Sequence, residues 1–292
     1  MMSTHIKSLI GWAKHSSSTP ADTTGGHTIA RLSRIRSIGF KHLVPWILPI
    51  LFLSGWQWAA SAGLITHRTL PQPSQVLKAF IQLTQSGELW THLKISFGRA
   101  LLGFAIGGGL GLILGLITGI SRLSEQLLDT SIQMIRNIPP LSLIPLVILW
   151  FGIDETAKLF LVAFGTVFPV YINTYHGIKS VDVQLIEMAQ SYGLRGWPLF
   201  RDVILPGALP SILVGIRFGL GFAWVLLIVA ETISASSGIG YLAMNAREFL
   251  QTDVVVLSIL LYALLGKATD LFARHLERHW LKWHPSYQKG GA

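Results

Sequence analysis

Three polar side chains lie inside long apolar stretches of the sequence, where a charge or an amide needs a physical reason. Arg217 lies about two to three turns into the apolar stretch that begins at Ala208, and its guanidinium offers paired donors that suit the oxygens of a sulfonate or similar anion. Asn173 can hydrogen-bond to a neighbouring helix, and Glu231 can pair with a cation near the end of its stretch. Because charge inside a membrane is costly, Arg217, Asn173 and Glu231 are predicted to line a path for an anion. An internal ion pair is the alternative for Arg217.

Other charges near apolar stretches have simpler explanations. Lys267 and Asp270 stand three residues apart, a spacing at which helical side chains meet, so they are predicted to pair with each other. Arg99 and Arg136 lie near the ends of their stretches and are predicted to be interfacial. None of these four residues adds a candidate for chemistry.

Residue sets for the common enzymatic chemistries are missing from the sequence. Cysteine is absent, which excludes disulfides, thiolate zinc sites and iron–sulfur clusters. The histidines show no His-Glu-x-x-His spacing, and no Gly-x-x-x-x-Gly-Lys-Ser/Thr sequence is present to hold nucleotide phosphates. A membrane enzyme would also need His, Asp or Glu clustered at one depth, and none is evident. We therefore expect no catalytic residue, no metal site and no bound cofactor in this chain.

Glycines recur at four-residue intervals in one apolar stretch, namely Gly103, Gly107, Gly111, Gly115 and Gly119. Four residues turn 400°, so these glycines share a slowly drifting face of a helix, where a second backbone can approach closely. The cluster between Gly107 and Gly111 is not preceded by the strand that a dinucleotide loop requires. A later stretch repeats the pattern with Gly215 and Gly219, so both helices are predicted to pack tightly.

The composition indicates a polytopic membrane protein. Of 292 residues, 51% are hydrophobic and 13% are charged, against about 25% charged in soluble domains, and the mean hydropathy is +0.52. A spanning helix needs about 20 mostly apolar residues. Six stretches meet or nearly meet this requirement: 43–64, 97–120, 132–151, 157–178, 208–232 and 254–276. The third is broken by Pro139, Pro140 and Pro145, and the predicted fold class is all-α with six transmembrane helices.

The basic residues orient the predicted spans. The transmembrane domain, 43–276, lies between a polar tail over 1–42, whose composition is typical of disorder, and a short tail over 277–292. Lys and Arg are about three times as frequent on the side that holds both tails as on the opposite side. Both termini are therefore predicted to be cytoplasmic, and the net charge of +9 reflects membrane orientation rather than nucleic-acid binding.

The loop between the fourth and fifth spans, about 179–206, carries the most informative pattern. Val183–Tyr192 predicts a short helix, with Asp182 as its N-cap and Gly193 just after its end. Leu194 and the residues that follow it add apolar surface that water would not favour, and such surface usually marks a partner site. The loop is predicted to project from the membrane as a rigid knob.

At this loop the sequence resembles the bacterial binding-protein-dependent ABC permeases. Their signature is Glu-Ala-Ala, three residues, Gly, nine residues, then Ile-x-Leu-Pro. The chain departs from it at Met188 and Val203, both apolar replacements, and matches it at Glu187, Ala189, Gly193, Leu205 and Pro206. Further stretches look like the aliphatic sulfonate permeases in particular: 138–140, 145–154, 229–235 and 238–249. The resemblance covers about 43–286.

The resemblance implies an ABC importer permease fold with a cytoplasmic coupling helix in the 179–206 loop. It implies a homodimer at the bacterial inner membrane, two ATPase subunits that bind ATP and Mg, and a periplasmic binding protein. The residues that would dock on the ATPase are Glu187, Ala189, Gly193, Leu194, Trp197, Leu205 and Pro206. Candidate surfaces for the binding protein are the outer loop 234–240 and a short amphipathic helix over 74–83, with Ser74 as its predicted N-cap.

Two alternatives remain open at this point. Taurine, nitrate and thiamine-precursor permeases share much of this layout, so the transported molecule is an aliphatic sulfonate or, alternatively, taurine, nitrate or another small anion. A secondary transporter driven by an ion gradient is the alternative of another class. Such proteins often contain internal repeats, and no clear repeat relates 43–150 to 157–276.

Overall fold

The computed structural model describes residues 47–66 and 69–283, and the chain divides into two units, 1–55 and 56–292. A first helix, α1, covers 47–61. The helices that follow are α2 (Pro73–Gln85), α3 (Glu88–Ile120), α4 (Arg122–Arg136), α5 (Ile144–Phe151), α6 (Glu155–Lys179), α7 (Val183–Ser191), α8 (Trp197–Leu199), α9 (Leu205–Ser234), α10 (Ile239–Glu248) and α11 (Thr252–Trp280). The described residues contain no strand, so the all-α prediction is confirmed. The predicted tail over 1–42 lies outside the described residues.

Four helical segments are long and apolar enough to cross a membrane: α3, α6, α11 and the continuous segment from Trp197 to Ile233 that contains α9. A fifth is added if α4 and Pro140–Phe151, which are bent by 80°, count as one span. The described residues therefore contain four or five spans rather than six. The predicted first span begins at 43, outside the described residues, and the fifteen helical residues over 47–61 are too few to span by themselves.

The third predicted span, 132–151, is not one helix. The helix α4 already begins at Arg122 and ends at Arg136, and Pro139 then adopts an extended conformation before a 3₁₀ turn starts at Pro140. Proline disfavours the helical conformation of the residue before it, so two successive prolines force the chain out of the helix. The second proline can begin a new helical turn because that position needs no N–H donor.

The glycines of α3 lie against α6 over the length of the contact. A Cβ atom added at Gly103 would lie 2.6 Å from Val162 Cγ1, and Cβ atoms added at Gly107 or Gly111 would collide with backbone carbonyls of α6. The glycines that meet α6 in this way are Gly103, Gly107, Gly111, Gly115 and Gly119. At 1.5 Å per residue, the two backbones stay in close contact over about 24 Å.

The helix α9 packs on the other side of α6 through the second glycine pair. A Cβ atom added at Gly215 would lie 2.7 Å from Asn173 Cβ, and one added at Gly219 would lie 3.0 Å from Val170 Cγ2. The order α3, α6, α9 is therefore fixed by small residues at both contacts, and α11 packs against α9 through Trp224 and Tyr262, whose ring centroids are 6.3 Å apart.

Short helices cover the end of the bundle opposite to α7. The side chains of Val76 and Ala79 on α2 and Leu242 on α10 are buried in one apolar cluster with the first turns of α3 and α11. The predicted N-cap of α2 at Ser74 is wrong, since the cap is Gln72 and Pro73 occupies the first helical position. The amphipathic segment thus packs against the protein.

Candidate functional site

The predicted helix in the loop before α9 is confirmed as α7. Asp182 caps its first turn by accepting a hydrogen bond from the Gln184 amide at 2.9 Å. At its other end, Gly193 has a φ of +88°, and the amides of Gly193 and Leu194 donate to the carbonyls of Gln190 and Ala189 at 2.9 and 3.0 Å. These two hydrogen bonds close the helix. They require a residue in the left-handed conformation after its last turn, which glycine adopts without strain.

The α7 loop presents apolar side chains to the outside. Tyr192 is 83% exposed, Trp197 is 69% exposed, and Met188 is also exposed, whereas Ala189 is buried. Glu187 lies on the exposed side of α7, and Leu194, Leu205 and Pro206 are half-buried at its base. A groove of about 480 Å³ runs behind the helix, between α7 and the beginning of α9. Exposed apolar surface of this kind is typical of sites that contact another protein, a ligand or a membrane.

The strongest electrostatic cluster lies at the opposite end of the bundle, and its centre is Arg99. The guanidinium contacts Glu155 through Nε at 2.7 Å and Nη2 at 2.5 Å, and contacts Glu231 through Nη1 at 2.8 Å. It also donates to the Ser237 carbonyl at 2.5 Å. Arg99 was predicted to be interfacial; its side chain is 5% exposed and lies among protein partners at the beginning of α6 and near the end of α9. It ties α3, α6 and α9 to the connection before α10.

Glu231 is the buried anion of this cluster. Its carboxylate accepts hydrogen bonds from Ser96 Oγ and Tyr262 Oη at 2.8 Å and from the Gly240 amide at 2.9 Å. A Cβ atom at Gly238 or Gly240 would collide with Glu231, so this stretch needs both glycines. The carboxylate is therefore fully enclosed and hydrogen-bonded, and its position is not that of a group lining an open path.

The other two residues predicted for the anion path lie elsewhere. Arg217 Nη1 contacts Glu277 Oε2 at 3.0 Å, and the arginine side chain is 29% exposed. Asn173 donates to the Pro169 carbonyl within its own helix at 2.8 Å. Arg217 and Glu231 are fourteen residues apart on one helix, or about 21 Å. The structure therefore does not bring Arg217, Asn173 and Glu231 together.

A groove of about 470 Å³ lies beside Arg217. It is lined on α9 by Phe218 and Phe222 and on α11 by Gly266 and Asp270. The predicted pair between Lys267 and Asp270 is wrong, because Asp270 pairs with the residue one turn further on, Arg274, at 3.0 Å. Among the described residues, no group of three or more His, Asp or Glu could hold a metal ion.

Comparison with known proteins places the chain in a family. Residues 107–282 match the family described as the binding-protein-dependent transport system inner membrane component, and the chain belongs to this family. The resemblance found in the sequence is confirmed. A chain in the crystal structure of an amino acid ABC transporter with histidines has a similar fold, with 20% identity and a TM-score of 0.55 over 67% of this chain and 97% of that chain.

Three bacterial relatives match most of the chain. A protein of Escherichia coli (strain K12), provisionally named aliphatic sulfonates transport permease protein SsuC, is 67% identical over 84% of this chain and 93% of the relative. A protein of Bacillus subtilis (strain 168) with the same provisional name is 48% identical over 83% of this chain and 88% of the relative. The taurine transport system permease protein TauC of Escherichia coli (strain K12) is 37% identical over 82% and 88%.

Proposed function

We propose that the chain is the permease subunit of an ATP-driven importer of aliphatic sulfonates. The observation that carries this proposal is the α7 loop, where a rigid, capped helix presents exposed apolar side chains within the family signature from Glu187 to Pro206. The sulfonate substrate is supported by the names of the two relatives at 67% and 48% identity, whereas the taurine permease is more distant at 37%.

The coupling role falls to the exposed face of the α7 loop. Glu187, Tyr192 and Trp197 would contact the ATPase, while buried Ala189 and the closing Gly193 hold the helix in shape. Leu205 and Pro206 connect this docking surface to α9. ATP and Mg bind on the ATPase, and this chain contributes no catalytic residue. One chain carries one such loop, so two copies would pair with two ATPase subunits.

The remaining partners follow from the family. The transporter would lie in the inner membrane with both termini in the cytoplasm, and a periplasmic binding protein would deliver the substrate to the end of the bundle covered by α2 and α10. Arg217 borders the groove between α9 and α11, and Glu277 engages only part of its guanidinium. An arginine carries five N–H donors, so donors remain for an oxyanion.

The direct test is reconstitution of the permease with its ATPase in liposomes, followed by uptake of a labelled alkanesulfonate. We expect uptake that needs both ATP and the binding protein, and taurine or nitrate should compete weakly. Uptake without the ATPase would contradict the coupling role, and ATP hydrolysis by the purified permease alone would contradict its passive role. Preferential uptake of taurine or nitrate would replace the substrate but leave the coupling role intact.

A further inference from the structure

A stripe of basic side chains runs along the exposed face of α11. Lys267, Arg274 and Arg278 recur at intervals of seven and four residues, which places them within about 40° on one face of the helix. All three side chains are exposed. Arg274 pairs with Asp270 at 3.0 Å, whereas no ion pair engages Lys267 within 47–66 and 69–283.

The contacts of α11 fix the depth of this stripe. Trp224 of α9 donates to Thr269 of α11 at 3.2 Å, so Lys267 is level with the middle of an uncharged part of α9 that covers 218–230. Lys267 is also the sixteenth of 29 residues in α11, which leaves about 20 Å of helix on either side. It therefore lies near the middle of a span.

A charged side chain at that depth does not face lipid tails. Ionisable residues inside a membrane face protein or a water-filled cavity, and a lysine near the middle of a span is too far from either surface to extend its ammonium into water. A second copy of the chain alone would not suit this face either, since two basic stripes would repel each other. Water and an anion would relieve that repulsion.

We propose that the basic stripe of α11 faces a water-filled passage and that Lys267 binds the anionic head group of the molecule in transit. The inference rests on the function proposed above, which supplies an organic sulfonate as the anion. The groove beside Arg217 opens next to the stripe, because Gly266 and Asp270 of α11 line it. Its Phe218 and Phe222 side chains suit the alkyl part of such a molecule.

Accessibility of position 267 to an aqueous anion is the first test. The chain has no cysteine, so a Lys267→Cys variant carries the permease's single thiol. Its thiolate would attack sulfonatoethyl methanethiosulfonate, form a mixed disulfide and release methanesulfinate. In the complete transporter, we expect modification about tenfold faster than in Leu101→Cys, whose side chain is 53% exposed on the apolar face of α3. An alkanesulfonate should slow it, and equal rates for the two variants would overturn the proposal.

The second test removes the charge of Lys267. Lys267→Gln should reduce alkanesulfonate uptake about tenfold because a charge-assisted hydrogen bond is lost, whereas Lys267→Arg should retain most uptake. The matched control is Arg136→Gln, which removes the charge of an exposed arginine at the end of α4 and should leave uptake unchanged. Comparable uptake by Lys267→Gln and wild type would refute the role of this lysine.

Two further outcomes separate the possible explanations. A loss of uptake in Lys267→Gln that occurs in phosphatidylglycerol vesicles but not in phosphatidylcholine vesicles would assign the stripe to lipid head groups and overturn the proposal. Rapid labelling of Lys267→Cys in a transporter that takes up no alkanesulfonate would support the passage and reject only the sulfonate substrate.

Discussion

The buried ion pair between Arg99 and Glu231 allows a sharp test of what holds the end of the bundle opposite to α7 together. Replacement of Glu231 by Gln keeps the shape of the side chain but removes its charge and turns one acceptor into a donor. The two carboxylate oxygens accept from Arg99, Ser96, Tyr262 and Gly240, and the amide nitrogen of glutamine can accept from none of them. Breaking a buried ion pair costs about 3–5 kcal/mol. We expect a loss of about 3 kcal/mol, since Arg99 keeps its second partner, Glu155.

The same guanidinium provides a matched control. Glu155 also contacts Arg99, but its side chain is 52% exposed, so water replaces much of what Glu155→Gln removes. Exposed ion pairs contribute about 0–1 kcal/mol. Because Glu155 also pairs at 3.1 Å with Lys158, whose side chain is 3% exposed, we expect a loss at the upper end of this range, about 1 kcal/mol. The difference in stability between the two variants measures the effect of burial, because each variant removes one carboxylate charge that contacts the same arginine.

Tryptophan fluorescence during heating of the purified protein in detergent measures both variants. A chain of this size loses about 2–4 °C of melting temperature per kcal/mol, so Glu231→Gln should melt about 6–12 °C below wild type, and Glu155→Gln within about 4 °C of it. Equal shifts for the two variants would refute the reasoning from burial. A Glu231→Gln protein that melts like wild type would refute the pair's contribution to stability.

Three further predictions concern the helix contact and the α7 loop. Gly111→Val should reduce the unfolding free energy by about 1–3 kcal/mol through overpacking against α6, whereas a Cβ atom at Gly109 meets open space and Gly109→Val should cost less than half as much in the same melting assay. Tyr192→Ser should weaken ATPase binding by about 2 kcal/mol, or roughly 30-fold, in a pull-down titration, and Trp90→Ser at the opposite end should not. Gly193→Ala should destabilise the end of α7 by about 1 kcal/mol, seen as faster amide exchange there.

Local features of the sequence predicted local structure well. The boundaries of α7 follow from an acidic N-cap and a glycine after the last turn, and both act within a few residues of the helix. The spacing of Gly103 to Gly119 predicts a close contact because four-residue intervals stay on one helix face. Both inferences can be made without knowing which helix packs against the residues concerned, and the sequence did not identify α6 as the helix that contacts α3.

Pairings between distant residues could not be predicted in the same way. Arg99 and Glu231 are 132 residues apart, and the sequence around either residue does not indicate the other as its partner. A signal was present, since both charges stand within or close to the ends of apolar stretches, where charges need partners. Asp270 was predicted to pair with Lys267, three residues before it, although Arg274 stands four residues after it. The structure selects Arg274, and an acidic residue preceding a basic one by four is the better helical arrangement.

The segment from Trp197 to Ile233 connects the two ends of the molecule. It is helical over 37 residues, or about 55 Å, so the proposed docking surface beside α7 and the buried Glu231 are joined by one continuous helical segment. The helix widens to a π turn over Phe200–Ile204, where the Leu205 amide donates to the Phe200 carbonyl. Pro206 gives the physical reason, because its ring would clash with the carbonyl four residues earlier and it has no N–H to donate.

A π turn is also a place where a helix bends. Under the proposed function, motion of an ATPase bound at α7 would reach α9 through this turn and then move Glu231 and its partners as one body. The signature proline then acts through helix geometry rather than through contact with the ATPase, consistent with its half-buried position. The two halves of the signature would then have different physical roles. The residues around Glu187 would form the docking surface, and Leu205-Pro206 would shape the π turn through which motion of that surface reaches α9.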